Sequence, residues 1–256
     1  MSAIAHEWDE GSSTRSGCSV LSKPNRCPVL CNVRNVREAR VGSGSVRPGS
    51  PGVILHAPRR YDLEVWLFTL GRERTLRRRI AALARLREGE SVLDVGCGTG
   101  SLSIEAKRQV GANGVVKGVD ASPEMIGRAI VKARRAGLAI QFFNATAQAL
   151  PFPAARFDVA LCALMLHHLP RKSRGQCVHE MCRVVKAGGR VLVVDFASPA
   201  QPSTGVLARL HRHRHGHVAT PEVIGLLHEA GLEIAETGPV GFGDLQFALV
   251  TVPQAT

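Results

Sequence analysis

Aromatic side chains are scarce in this sequence, only 4% of 256 residues, with a single tyrosine among them. Its core must therefore be assembled from Val, Leu, Ile and Ala, which suits a sheet covered by helices on both faces. Long apolar runs are missing as well. The longest, Val159 to Leu166, is strand length and far short of the roughly 18 residues that a bilayer span requires. The N-terminus opens on acidic residues instead of an apolar stretch, so no secretory signal is expected and a cytoplasmic location follows. Seven cysteines (Cys18, Cys27, Cys31, Cys97, Cys162, Cys177 and Cys182) form no C-x-x-C pair. That excludes the usual spacing of a four-ligand zinc site and argues against a disulfide framework; no metal site is expected.

Acidic residues are also in short supply, leaving a net charge of +12. The excess is +3 over residues 1–52, +4 over 53–90 and +7 over 91–200, turning to −2 over 201–256. Such a diffuse positive field favours anionic small molecules, an anionic membrane surface or nucleic acid as partners. A plain arginine bias in composition accounts for it equally well.

Three segments differ in texture. Residues 1–52 are rich in Ser, Gly, Pro, Arg and Asn without helical or strand period, and read as a disordered extension. Residues 53–90 read as a helical N-terminal lid. Leu63, Trp66, Leu67, Leu70, Leu76, Ile80, Leu83 and Leu86 recur at mostly three- and four-residue spacing, with a break near Gly71. Arg72, Arg74, Arg77, Arg78 and Arg79 are expected on its solvated face.

Residues 91–256 alternate strands and helices. Strands are expected at 91–96, 114–120, 140–145, 156–164 and 190–196, with two more in LEIAETG and LQFALVTV. Ser122 with Pro123 marks one helix start and Gly137 its stop. The helix beginning at Arg171 is expected to end at Gly188 and Gly189, and Thr220 to cap the last helix. Continuous apolar strands alternating with helices mean a mainly parallel sheet, doubly wound.

The chemistry concentrates in VLDVGCGTG at 92–100. A buried strand ends at Asp94, and Gly96, Gly98 and Gly100 let the backbone turn tightly and approach a ligand. A dinucleotide fingerprint reads G-x-G-x-x-G, whereas here the spacing is G-x-G-x-G with an acid before it. An anion there has no use for a pyrophosphate, but suits a ligand bearing an ammonium group. Asp120 ends the next strand, where a carboxylate can accept both ribose hydroxyls; its structural alternative is a favourable charge at the start of the following helix.

These residues, with YDLEVWLF, VVKGVDASPEMI, ALPFPAARFDVALCALMLHHL and HEMCRVVKAGGRVLVVDF in the same order, give the chain its family likeness. It resembles the class I S-adenosylmethionine-dependent methyltransferases, in the branch of the ubiquinone and menaquinone biosynthesis C-methylases. The resemblance implies an α/β, doubly wound, Rossmann-like seven-stranded sheet, mainly parallel with the last strand antiparallel. It implies S-adenosyl-L-methionine as cofactor. Asp94, Gly96, Gly98 and Gly100 would hold the amino-acid end, Asp120 the ribose, and Ala121 and Met125 the adenine. Thr146, Ala147 and Gln148 would meet the adenine edge, and Cys162 and Ala163 would border the sulfur. The family usually has an acid where Thr146 stands; the neutral hydroxyl makes a weaker acceptor.

His167 and His168 follow the fourth strand and are candidate general bases, or else packing residues at a helix start. Tyr61 is a candidate for the substrate pocket or the core. His211, His213, His215 and His217 in HRHRHGH suit a loop near the acceptor better than a metal site. The expected partner is a small-molecule methyl acceptor, quinone-like or a lipid head group by analogy. A nucleic-acid methyltransferase is the first rival, opposed by CALMLHHL where a base-flipping motif would stand. A non-catalytic cofactor-binding protein is the second.

Overall fold

The computed structural model describes residues 56–197 and 220–254. The extension over 1–52, the start of the lid segment and the histidine run at 211–217 lie outside the described residues. The elements run α1 (Pro58–Phe68), α2 (Glu73–Leu83), β1 (Ser91–Val95), α3 (Ser101–Val110), β2 (Val115–Asp120) and α4 (Pro123–Arg135), then β3 (Gln141–Asn144) and β4 (Phe157–Ala163). A short 3₁₀ turn (Leu166–His168) leads to α5 (Arg171–Val184), β5 (Val185–Phe196), α6 (Thr220–Glu229), β6 (Glu233–Pro239) and β7 (Leu245–Thr251).

The strands form one seven-stranded sheet in the order β3-β2-β1-β4-β5-β7-β6. β1 to β5 are parallel, and β7 runs antiparallel to both β5 and β6. This is the expected architecture, including the antiparallel last strand. Chain order reverses between β1 and β4, which opens a crevice at their carboxyl ends where such sheets bind ligands.

Strand alternation divides the core into two layers. Leu93, Val95, Ala160 and Cys162 face the layer with Cys177, Met181 and Leu227, while Val92, Leu161, Leu192 and Val194 face Leu76, Ile80, Leu102 and Ala106. Burying one such aliphatic side chain stabilises by about 1.5–3 kcal/mol. The same alternation turns Asp94 toward the α2–α3 side, between Leu93 and Val95.

The N-terminal helical stripe is only half realised. In α2, Leu76 and Ile80 are fully buried, but Leu63, Trp66, Leu67 and Leu70 of the α1 region stay 54–80% exposed. The inward side of α1 is narrow: Val65 is buried and Phe68 packs edge-on against Phe196.

One boundary differs from expectation. The helix starting at Arg171 ends at Val184, and Val185 already belongs to β5. Phe157 pairs with Val185 before the register shifts at Val159, and Ala155 and Arg156 donate to the carbonyls of Arg183 and Val184. A Cβ on Gly189 would lie 2.8 Å from the Asp158 carbonyl oxygen. The two glycines thus serve an irregularity in the strand pair, not a helix stop.

Candidate functional site

The loop after β1 is fastened to β2. The Gly96 and Cys97 amides both donate to the Val119 carbonyl, at 2.8 and 2.9 Å. The Gly98 amide donates to Asp120 Oδ2 at 2.8 Å. Gly96 and Gly98 have φ of +71° and +51°, and a Cβ on Gly96 would lie 2.2 Å from Met165 Cγ. Only glycine fits there. The Ser122 amide donates to Asp120 Oδ1 at 2.9 Å, and Ser122 Oγ caps α4 by accepting from the Met125 amide. Each Asp120 oxygen therefore keeps accepting capacity. Burial raises the Asp120 pKa, and the two amides oppose that rise.

Asp120 forms part of the wall of an open cavity of about 670 Å³, with Tyr61, Gly96, Gly98, Ala121, Met125, Ala147, Gln148 and His168. The outer wall is apolar, from Leu164, Met165 and Leu169.

A smaller recess adjoins it, the two sharing Tyr61, Gly96 and Gly98 in their walls; Arg77, Asp94, Cys97, Thr99, Ser101, Leu102 and Ala163 line the rest. Asp94 is 1% exposed and accepts from Ser103 Oγ at 2.5 Å. Burial pushes its pKa up to about 6, against the Ser103 bond and the Arg77 charge. Arg77 is 6% exposed, and its Nε has no hydrogen-bond partner; the nearest acid, Glu73 Oε1, lies at 3.5 Å. Tyr61 shares the wall of this recess with Arg77, and burial raises its phenol pKa. Sequence reasoning put Arg77 on a solvated face. Its spacing from Ile80, Ala81 and Ala84, all fully buried, is the helical signal that would have found it.

Asp62 pins α1 over the loop. It accepts from Thr99 Oγ1 at 2.7 Å, Arg128 Nε at 3.1 Å and Lys132 Nζ at 3.3 Å. The Tyr61 ring thereby stands 3.6 Å from where a Gly98 Cβ would be.

At the ends of β4 and β5 the anchors are side chains. His167 Nδ1 bonds Asp195 Oδ1 at 2.6 Å, and the His167 amide donates to Oδ2 at 3.1 Å. Both side chains are buried. The His168 ring packs on His167 with centroids 4.0 Å apart and forms part of the cavity wall. Leu164 adopts φ of +59°, with its amide on the Val194 carbonyl. Asp195 is a second residue that sequence reasoning missed, although an acid closing the apolar run VLVVDF is the same signal that picked out Asp94 and Asp120.

The remaining candidates fall elsewhere. Thr146 is exposed and Cys162 is buried in the core. Gly100 caps α3 in a left-handed conformation, and a Cβ there would lie 2.9 Å from Ala129 Cβ, so its place is close packing of α3 on α4. Burial, with Asp94 and Asp120 nearby, holds Cys97 well above the ordinary thiol range, as a neutral group. Among the described residues no cluster of three metal-ligating side chains occurs, and no helix is long and apolar enough to cross a membrane.

A family model described as a methyltransferase domain matches residues 92–189. The ubiquinone/menaquinone biosynthesis C-methyltransferase of Hahella chejuensis is 37% identical over 145 residues, 56% of this chain and 57% of that protein. The demethylmenaquinone methyltransferase of Thermus thermophilus is 34% identical over 155 residues, 60% of this chain and 69% of that one. The first of these is thus spanned over less than two thirds of its own length. The crystal structure of a SAM-dependent methyltransferase from Aquifex aeolicus superposes with a TM-score of 0.60, at 22% identity over 76% of this chain and 96% of that one. The latter likeness bears on the fold.

Proposed function

The chain belongs to the S-adenosylmethionine-dependent methyltransferases, and from that premise we propose that it methylates a small lipophilic acceptor, a quinone-like ring first among them. The observation that carries this reading is the cavity itself, in which a polar glycine-and-carboxylate floor meets an apolar outer wall. The floor fits S-adenosylmethionine. Asp120 retains accepting capacity for two ribose hydroxyls, no Cβ intrudes at Gly96 or Gly98, and Asp94 offers an anion to an ammonium. Ala121, Met125, Ala147 and Gln148 supply a flat, mostly apolar surround for the adenine.

When bound, the cofactor supplies a methyl group on an electron-poor sulfonium. The chain's own work is to aim the acceptor and clear its proton. Leu164, Met165 and Leu169 exclude water and hold an apolar ring; positioning of this kind supplies much of the rate for an already nucleophilic atom. Loss of the donor's positive charge requires one proton to leave the acceptor, and the His168 ring nitrogen is the base in the wall to take it. His167, fixed by Asp195, backs the His168 ring.

The segment 53–90 acts as a lid, a reading supported by Asp62 and Tyr61. Leu63, Trp66 and Leu67 of α1 and Leu70 just after it stand exposed, in a stretch that also exposes Arg59, Arg60 and Arg72. That pattern supports peripheral contact with an anionic membrane, where a lipophilic acceptor resides. Free Cys97, Cys162 and Cys177 in the interior suit the reducing cytoplasm.

Calorimetric titration of S-adenosylmethionine and S-adenosylhomocysteine, with NAD and Asp120→Ala as controls, tests the cofactor. Micromolar binding that Asp120→Ala weakens by about 100-fold or more supports it. Folded protein that binds neither refutes it. With binding in hand, methyl transfer to a demethylated quinol but not to phospholipid or RNA supports the acceptor class, and the reverse overturns it.

A further inference from the structure

His168 reaches the cavity wall from a segment with little hold of its own. Leu164 ahead of it lies at φ +59°. The 3₁₀ turn Leu166–His168 is closed by the His168 amide on the Met165 carbonyl at 2.9 Å and the Leu169 amide on that of Leu166 at 3.0 Å. Turns this short have poor hydrogen-bond geometry and depend on their surroundings. Asp195 supplies one outside anchor, through His167. Arg174 of α5 supplies another. Its Nε shares a proton between the carbonyls of Leu166, at 3.2 Å, and Leu169, at 3.0 Å, the residues on either side of the histidine pair. Its Nη1 donates to Glu222 Oε1 of α6 at 2.9 Å, and its side chain is 11% exposed. A guanidinium carries its donors in a rigid plane, so carbonyl and carboxylate together can lock it.

We propose that Arg174, oriented by Glu222, is a positioning residue for methyl transfer: from outside the cavity wall it fixes the turn that presents His168 and Leu169 to the acceptor. This rests on the acceptor reading above and extends it to α5 and α6. A misplacement of about 1 Å at the reacting groups can cost about 100-fold in rate, even when its cause lies away from the chemistry. The same helix carries a brace of similar design for comparison. Arg183 donates to the carbonyls of Phe152 at 2.9 Å and Leu150 at 3.2 Å, and pairs with Glu180. Those carbonyls belong to the loop after β3, which brings Ala147 and Gln148 to the cavity. The two arginines thus hold different walls. If Arg174 merely fastened α6 to α5, its removal would lower stability and leave turnover by the folded enzyme alone.

Separating kcat from cofactor affinity distinguishes the two. Turnover of a demethylated quinol at saturating S-adenosylmethionine, and calorimetric affinity for S-adenosylmethionine, are measured on the full chain for wild type, Arg174→Met, Arg174→Lys, Glu222→Gln and Arg183→Met. Arg174→Met is expected to lose about 30-fold or more in kcat with cofactor affinity within about threefold of wild type. Arg174→Lys, which keeps the charge but not the planar fork, is expected to recover about threefold or more of that loss. Arg183→Met is expected to show the reverse pattern, a loss of about tenfold falling on cofactor affinity. In Arg174→Met, an unchanged kcat, or kcat and affinity falling together, overturns the proposal. Circular dichroism reports whether that variant is folded. If it is not, Arg174→Lys and Glu222→Gln decide by the same criterion, each expected to lose about threefold or more in kcat alone. A wild type that turns over no quinol refutes the acceptor reading on its own. Positioning is then decided by the His168 ring resonances in nuclear magnetic resonance spectra, assigned with His168→Gln. They are expected to shift in Arg174→Met and not in Arg183→Met, and resonances unmoved by Arg174→Met overturn the proposal.

Discussion

The two sides of the crevice are built by different means. On the β1–β2 side every donor is a backbone amide: the Val119 carbonyl takes those of Gly96 and Cys97, and the Asp120 carboxylate takes those of Gly98 and Ser122. On the β4–β5 side the anchors are side chains, His167 on Asp195 and His168 on His167, with backbone strain at Leu164. A left-handed non-glycine residue costs on the order of 1–3 kcal/mol and persists where the surroundings over-determine it. Backbone anchors specify a shape that any chain with glycines in place can make. Side-chain anchors can change one residue at a time, so the proposed function assigns acceptor choice to the second side and the shared cofactor to the first. Met165 is where the sides touch, against Gly96.

The largest effect expected from this division is that of Gly96→Ala. Its Cβ would lie 2.2 Å from Met165 Cγ and 2.8 Å from Met165 Cβ, at a φ of +71°. The loop must move, costing about 3 kcal/mol of stability and more than about 100-fold in cofactor affinity. Melting and calorimetry report both. A variant that binds cofactor normally would show that the β1–β2 shape is not glycine-determined.

Next comes Asp195→Asn, which turns an acceptor of two groups from His167 into a half-donor. A loss of about 2–3 kcal/mol in stability is expected, with turnover down about 100-fold and cofactor affinity within about threefold. Equal loss of turnover and cofactor affinity would mean that the sides are not separable.

How far the sequence foretold this division follows from the same contrast. The glycine loop, Asp94 and Asp120 were legible because their constraint is local: an apolar strand, an acid, then glycines at fixed spacing. Asp62 was not, because its contacts depend on α1 meeting the loop, and Arg77 was passed over in an arginine-rich run although its spacing from Ile80, Ala81 and Ala84 puts it on the buried face of α2. Val185 to Gly189 misread as helix for a related reason. Helical period continues through Cys182 and Val185, and only pairing with Phe157 across the bulge turns the segment into strand. The stripe at Leu63, Trp66 and Leu67 had helical period without the burial that period usually signals. Periodicity reported the helix correctly and its packing partner not at all.

A pH series sharpens the cofactor side. Burial holds Asp94 near 6 against 3.8 for the ordinary group. Between those values the folded chain binds more protons than the unfolded one, so stability falls as pH rises through the window. The span corresponds to about 3 kcal/mol, present in full above pH 6 and relieved below about 4. Asp94→Asn flattens that slope. A cofactor ammonium favours ionised Asp94, so affinity is expected to drop roughly tenfold per pH unit below 6 and to level off above it. Unchanged affinity between pH 5 and 7 would remove Asp94 from cofactor binding.

The smallest effect is expected at Thr146, the one position where the family's usual acid is missing. Thr146 is exposed, while its neighbours Ala145, Ala147 and Gln148 line the cavity. A carboxylate placed there would remain solvated, and a solvent-exposed charged contact contributes about 1 kcal/mol at most. Thr146→Asp should therefore tighten cofactor binding by only about two- to fivefold, with turnover at saturating cofactor unchanged. A gain beyond about 30-fold would put the weight of cofactor recognition at the adenine edge, and the floor formed by Asp94, Gly96 and Asp120 would then be secondary. A gain confined to the lower range leaves that floor as the determinant, and explains how a neutral residue at position 146 is tolerated.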